Sequence, residues 1–65
     1  MEYTNSEIRE LINEYIHSER DRKILYRRLV DGIAFEPLAE EFELSVRHTK
    51  TIVYKAEKEL FKHLK

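Results

Sequence analysis

The stretch that decides the fold is AFEPLAEEFELSVRHTKTIVYKAEKELFKHL, residues 34–64. Residues 34–42 predict a short helix, with Pro37 in its first turn, where a missing amide costs little. A turn follows and ends at Ser45, which is a favourable N-cap for a longer helix over about 46–64. A short helix, a tight turn and a longer helix together predict a helix-turn-helix over about 34–64.

Apolar residues in this stretch recur at helical spacing and predict the buried face of each helix. On the short helix they are Phe35, Leu38, Ala39 and Phe42. On the long helix the stripe is Thr49, Ile52, Val53, Ala56, Leu60 and Leu64. Ala39 is small enough to let the second helix pack closely across the first, and Leu44 is placed to fill the joint at the turn.

Two further helices are predicted before this unit. The first begins near Thr4 or Asn5, where Thr4 and Glu7 have the spacing of a capping box. Ser18 is predicted to end it and to cap a second helix over about 19–31, which Gly32 ends in a left-handed conformation. The predicted inward residues are Ile8, Leu11, Ile12, Tyr15 and Ile16, then Ile24, Leu25, Leu29 and Val30. The sequence therefore predicts one all-α domain over residues 1–65, a small four-helix domain containing a helix-turn-helix.

Composition narrows the class of protein. The chain of 65 residues has no cysteine, which excludes disulfides and thiolate metal sites. No apolar run approaches the roughly 18 residues of a membrane span, and no secretory signal is visible, so a cytoplasmic protein without membrane contact is expected. No metal-ligand spacing, phosphate loop or catalytic set is present, so we expect no metal, no cofactor and no enzymatic activity.

Charge is divided unevenly along the chain. Residues 1–44 contain six basic and eleven acidic residues, a net of −5, whereas residues 45–65 contain six basic and two acidic residues, a net of +4. A basic helix on an acidic body is typical of a protein with a polyanionic partner. A solvated helix whose lysines balance neighbouring carboxylates gives the same pattern, so charge alone does not decide between the two.

The register of the second half of the chain resembles DNA-binding region four of bacterial sigma factors, especially extracytoplasmic-type and phage-encoded versions. That family has V-L-x-L-R-Y-x-x-G, then S-x-x-E-I-A, a G-[IV]-[ST] turn and a basic helix ending A-x-x-x-L. The matching positions are Ile24, Leu25, Arg28, Leu29, Gly32, Ala34, Leu38, Ala39, Phe42, Leu44, Ser45, Lys50, Ala56 and Leu60. The resemblance covers about two thirds of the chain and implies a role in transcription.

The chain also departs from the family pattern. Glu43 replaces the turn glycine, Pro37 replaces the glutamate of E-I-A, Arg27 stands where an inward leucine is usual, and Thr49 occupies an aliphatic position. A chain of this length has no room for the sigma region that melts promoters. The resemblance therefore implies a stand-alone region-four-like protein, a regulator that uses the same module, or a fragment.

A helix-turn-helix places its second helix in the major groove, with the first two turns facing the bases. The outward candidates for contact with double-stranded DNA are Arg47, His48, Lys50, Thr51, Tyr54 and Lys55. Arg27 and Arg28 on the second helix are candidates for contacts with the DNA backbone beside the groove. Arg47 suits a guanine edge, whereas Lys50 and Lys55 suit phosphates.

Two other functions remain open at this point. The chain is alternatively a protein-binding module that docks on RNA polymerase or another transcription protein without strong DNA affinity. Phe61, Tyr3 and Ile33 are the candidate exposed apolar contacts, and the acidic row Glu7, Glu10 and Glu14 is a candidate docking surface. A homodimer is a further option, because one small module reads only a few base pairs. The second of these alternatives to DNA binding is a purely structural helical domain.

Overall fold

The structure is a computed structural model that describes residues 3–63 of the chain. Within those residues it has helices and no strand, which confirms the all-α four-helix prediction. The helices are α1 (Asn5–Tyr15), α2 (Glu19–Leu25), α3 (Phe35–Glu41) and α4 (Val46–Phe61). None of these four helices is both long enough and apolar enough to cross a bilayer.

The first two helices begin at the predicted caps. The Thr4 amide donates to Glu7 Oε1 at 2.8 Å, and the Glu7 amide donates to Thr4 Oγ1 at 3.2 Å, so the capping box is complete. Ser18 Oγ accepts the Asp21 amide at 3.3 Å at the start of α2. These bonds satisfy amides that have no partner inside the helix.

All four helices contribute to one apolar core. The residues buried in it are Ile12, Ile16, Ile24, Leu25, Leu38, Ala39, Ile52, Val53, Ala56 and Leu60. Half-buried residues packed around these include Ile8, Leu11, Tyr15, Leu29, Phe35, Phe42 and Leu44. The predicted stripes are thereby confirmed except at Val30, and Leu64 lies outside the described residues.

The prediction of a regular α-helix over 19–31 is wrong in its second half. After Leu25 the chain continues as a π-helical turn, Tyr26–Val30, in which the Asp31 amide donates to the Tyr26 carbonyl at 3.1 Å. An i to i+5 bond places an extra residue in the turn, so the residues after it are rotated relative to an α-helix. Val30, predicted to face inward, is therefore only half-buried and lies outside the core. Gly32 ends the segment at φ 72°, as predicted.

The joint between α3 and α4 has the predicted parts. Ala39 is buried on α3, and its carbonyl accepts the Leu44 amide at 2.9 Å, while the half-buried Leu44 side chain packs on the core. Ser45 Oγ accepts the His48 amide at 3.0 Å and caps α4. The last helix ends at Phe61, earlier than predicted, because the His63 amide bonds to the Leu60 carbonyl in a tightened final turn.

Thr49 is fully buried where the family pattern has an aliphatic residue. Its hydroxyl donates to the Ser45 carbonyl at 2.9 Å, so the helix itself satisfies the only polar atom of the side chain. A threonine bonded in this way presents its methyl group to the core. The departure at Thr49 is therefore compatible with the same packing.

The turn residue Glu43 adopts φ 55°, the left-handed conformation that favours glycine. We expect Glu43→Gly to stabilise the domain by up to about 1 kcal/mol in urea unfolding, since glycine has no Cβ to strain. Glu40→Gly is the matched control inside α3 and should destabilise by about 0.5–1 kcal/mol. Shifts in the same direction for both variants would contradict this reading of the turn.

Candidate nucleic-acid interface

The side of α4 that faces away from the core is continuous and exposed. Arg47, Thr51, Tyr54 and Lys58 follow one another at spacings of four, three and four residues, which places them in one row along the helix. His48 and Lys50 lie on either flank of this row at its start. Every one of the six candidates on the first turns of α4 is exposed: Arg47, His48, Lys50, Thr51, Tyr54 and Lys55.

The start of α4 is set by hydrogen bonds that leave its leading edge open. Because Ser45 takes the His48 amide, the amides of Val46 and Arg47 point out of the end of the helix. The Thr51 hydroxyl donates to the Arg47 carbonyl at 3.0 Å. The hydroxyl proton of Thr51 is therefore engaged in a bond within the helix. The groups that Thr51 presents to solvent are its methyl group and a hydroxyl oxygen that can accept a hydrogen bond.

One flank of α4 is an aromatic and cationic cluster shared with α3. The Phe35 ring meets the Tyr54 ring edge to face, with centroids 5.8 Å apart and planes at 71°. The Arg28 guanidinium lies over the Phe35 ring, 4.2 Å from its centroid, and Lys50 Nζ lies 5.7 Å from the same centroid. Contacts of a cation with an aromatic ring hold both groups in place. The cluster therefore positions Lys50 and Tyr54 along the same edge of the exposed face.

Arg27 and Arg28, the two candidates outside α4, take part in contacts within the domain. Arg27 Nε donates to both carboxylate oxygens of Glu41 at 3.1 Å, and Arg27 Nη1 lies 3.0 Å from Asp31 Oδ2. The hydrogen bonds that Arg27 donates to Glu41, followed by the one that it donates to Asp31, raise the pKa of Arg27 above its ordinary value. Arg28 Nη1 donates to the Ile33 carbonyl at 3.0 Å. DNA contact by either arginine would have to compete with these partners and stays a prediction.

The opposite flank of α4 borders a groove of about 430 Å³. Residues of the corner between α1 and α2 form its other wall, and the polar side chains lining it are His17, Ser18, Arg20, Asp21, His48, Thr51, Lys55 and Glu59. At one end Tyr15 stacks on His63 with ring centroids 3.7 Å apart. This arrangement brings His17 and Arg20 beside the candidate face of α4.

Sequence reasoning missed His17 and Arg20 as neighbours of that face. They lie about thirty residues before His48 and Thr51, and no local pattern connects the two segments. The two segments border the same groove because the chain turns at Ser18 between α1 and α2, and across that turn Arg22 Nη2 donates to the His17 carbonyl at 3.2 Å. Among residues 3–63 no group of three His, Asp or Glu side chains is arranged to hold a metal ion.

Comparisons with protein families, with characterised proteins and with solved structures give no match for this chain.

Proposed function

We propose that this chain is a DNA-binding transcription regulator that uses a sigma-region-four-like helix-turn-helix. In this proposal α4 lies in the major groove of double-stranded DNA, α3 supports it, and the protein acts in the cytoplasm without catalysing a reaction. The groove is about 12 Å wide and accepts one α-helix with its side chains. In this proposal the exposed side of α4 is the part of the helix that enters the groove.

One observation carries the proposal. The segment of α4 over residues 46–56 has Arg47, Lys50 and Lys55 and no acidic residue, and all three cations are exposed. The rest of the domain is acidic, with a net charge of −5 over residues 1–44. DNA affinity depends mainly on cations that meet phosphates, so this distribution favours approach to a duplex by α4 rather than by another face.

Each exposed group has a role that its chemistry suits. Arg47 lies on the outermost row at the start of α4 and presents a planar fork for the O6 and N7 of guanine. Thr51, one turn later, presents its methyl group to the methyl of thymine. Lys50 and Lys55, on opposite flanks of that row, suit the two phosphate backbones that border the groove. His48, on one flank, and Tyr54, within the row, offer further hydrogen bonds.

The proposal is tested by selecting bound duplexes from a random pool and sequencing them. On the selected site, Arg47→Ala should cost about 1–3 kcal/mol and relax base choice at one position. Lys55→Ala should weaken every duplex about equally, because a phosphate contact carries no sequence information. Enrichment of no sequence, together with equal effects of both variants on all duplexes, would contradict a base-reading role for α4.

A second candidate function is docking on RNA polymerase or another transcription protein. The observation that favours it is the row Glu7, Glu10 and Glu14, which is exposed along α1 and suits a basic partner. Binding of polymerase to the immobilised domain without DNA, abolished by Glu10→Lys together with Glu14→Lys, would select this function. Arg47→Ala is the control variant and should leave that binding unchanged.

A further inference from the structure

The ring of Phe35 contacts two positively charged side chains from different segments of the chain. The Arg28 guanidinium lies 4.2 Å from the ring centroid, and Lys50 Nζ lies 5.7 Å from it. Arg28 belongs to the π-helical turn, Lys50 belongs to α4, and Phe35 is the first residue of α3. One aromatic side chain therefore meets a cation from the segment before α3 and another from the helix after it.

The two cations are close enough to repel each other. Because both lie near one centroid, they are at most about 10 Å apart, which is the Debye length at about 0.1 M salt, so their repulsion is not fully screened. In the part of the chain that the structure describes, neither Arg28 nor Lys50 forms an ion pair with a carboxylate. The negative face of an aromatic ring attracts a cation and offsets part of such a repulsion. An aliphatic side chain at position 35 would not do so.

The ring itself is held in place from several sides. Phe35 is half-buried and packs against the core, and the Tyr54 ring meets it edge to face with centroids 5.8 Å apart. Arg28 has a second fixed contact, because its Nη1 donates to the Ile33 carbonyl at 3.0 Å. Lys50 is exposed on α4, and the Phe35 ring is the contact that restrains the end of its side chain.

We propose that Phe35 is a positioning residue for DNA binding, which acts by holding Arg28 and Lys50 in place for phosphates on one flank of α4. This inference rests on the proposed function and adds to it a residue of α3. A flexible side chain that binds a phosphate loses rotamer freedom, and that loss lowers the affinity. A cation already held against a ring has less freedom to lose, so the same phosphate contact gives tighter binding.

The test compares the affinity of the whole chain and its variants for the duplex selected from the random pool. Phe35→Leu removes the ring and keeps an apolar side chain. It should weaken binding about five- to tenfold, and on every duplex alike, because the cations that lose their restraint contact phosphates rather than bases. Phe35→Tyr keeps the ring and should bind as the wild type does.

Phe42→Leu is the matched control for lost packing. Phe42 directly follows α3, is half-buried and packs against the same core, and it takes no part in the contacts of the ring with the two cations. The affinity of Phe42→Leu for the duplex should therefore equal that of the wild type. Circular dichroism of every variant establishes that it is folded.

A double-mutant cycle with Lys50→Met tests whether Phe35 acts through the lysine. Methionine keeps an unbranched side chain and removes the charge. In the Lys50→Met background, Phe35→Leu should weaken binding at most about threefold, because one of the two cations that the ring holds is already missing. A purely structural role of Phe35 would give the same loss in both backgrounds.

Equal losses in the two backgrounds, or a Phe35→Leu chain that binds as the wild type does, would overturn this inference and leave the proposed function in place. So would a Phe35→Tyr chain that binds as weakly as Phe35→Leu. A wild-type chain that binds no duplex would instead overturn the proposed function, and this inference with it.

Discussion

Raising the monovalent salt concentration from about 0.05 M to 0.2 M should lower the affinity of the domain for its selected duplex by roughly 10²- to 10³-fold. Each phosphate that a cation neutralises releases a condensed counterion, and the logarithm of affinity falls by about 0.9 per contact for each tenfold rise in salt. We expect about four to six such contacts, which gives a slope near −4 to −5.

In the proposed function most of these contacts come from α4. Arg47, Lys50, Lys55 and Lys58 are exposed there, whereas Arg27 is paired with Glu41 and Asp31. The acidic body partly offsets this salt dependence. At low salt its repulsion of the duplex extends about 10 Å or more and weakens binding there. That repulsion favours orientations in which α4 leads.

Two lysine variants check where the salt dependence originates. Lys55→Ala should reduce the slope by about one. Lys23→Ala removes an exposed lysine from α2, outside the helix-turn-helix, and should leave the slope unchanged. An affinity that varies less than about tenfold over this salt range would contradict DNA binding through phosphates.

The caps and the core were predictable because each depends on residues close together in sequence. Thr4 with Glu7, Ser18 with Asp21, and Ser45 before its helix are local patterns in which one side chain satisfies a nearby amide. The stripes that form the core repeat every three or four residues, so they too are visible without the fold. These features establish where the helices begin and which sides of them meet.

The π-helical turn was not predictable in this way. Nothing in Tyr26–Val30 differs in helix propensity from an ordinary α-helical segment, and the wide turn packs against α1 and α3, which are distant from it in sequence. Arg27 illustrates the consequence. The turn directs it to Glu41 on α3, fourteen residues later, and that distance in sequence hides the ion pair from any local pattern.

The candidate site likewise has features that local sequence predicts and features that depend on packing between distant segments. The exposure of Arg47, Thr51 and Lys55 follows from helical spacing alone, because the core stripe determines the opposite face. The cluster of Phe35 with Tyr54, and the groove that His17 and His48 both line, depend on how separate helices pack. Sequence therefore predicts which side of α4 is open, and the packing determines what stands beside it.

Leu38→Ala should destabilise the domain by about 2–5 kcal/mol, the second large effect that we expect. Leu38 has no exposed surface and lies on α3 where that helix packs against α4. Truncation removes buried methyl groups and leaves a cavity that the surrounding helices cannot close fully. A chain of this size has a total stability of only about 3–10 kcal/mol, so a large fraction of the variant should be unfolded at 25 °C.

The measurement is urea unfolding followed by helical circular dichroism, with DNA binding recorded on the same samples. Leu38→Met conserves the volume and should cost less than about 1.5 kcal/mol, which separates loss of packing from any change at this position. The two losses should run in parallel for Leu38→Ala, because α3 contributes to binding by holding α4 in place. Arg47→Ala should behave in the opposite way, losing base choice while its unfolding curve stays that of the wild type. A Leu38→Ala chain that keeps its stability to within about 1 kcal/mol would show that α3 does not support α4, since burial on this scale cannot be lost without cost.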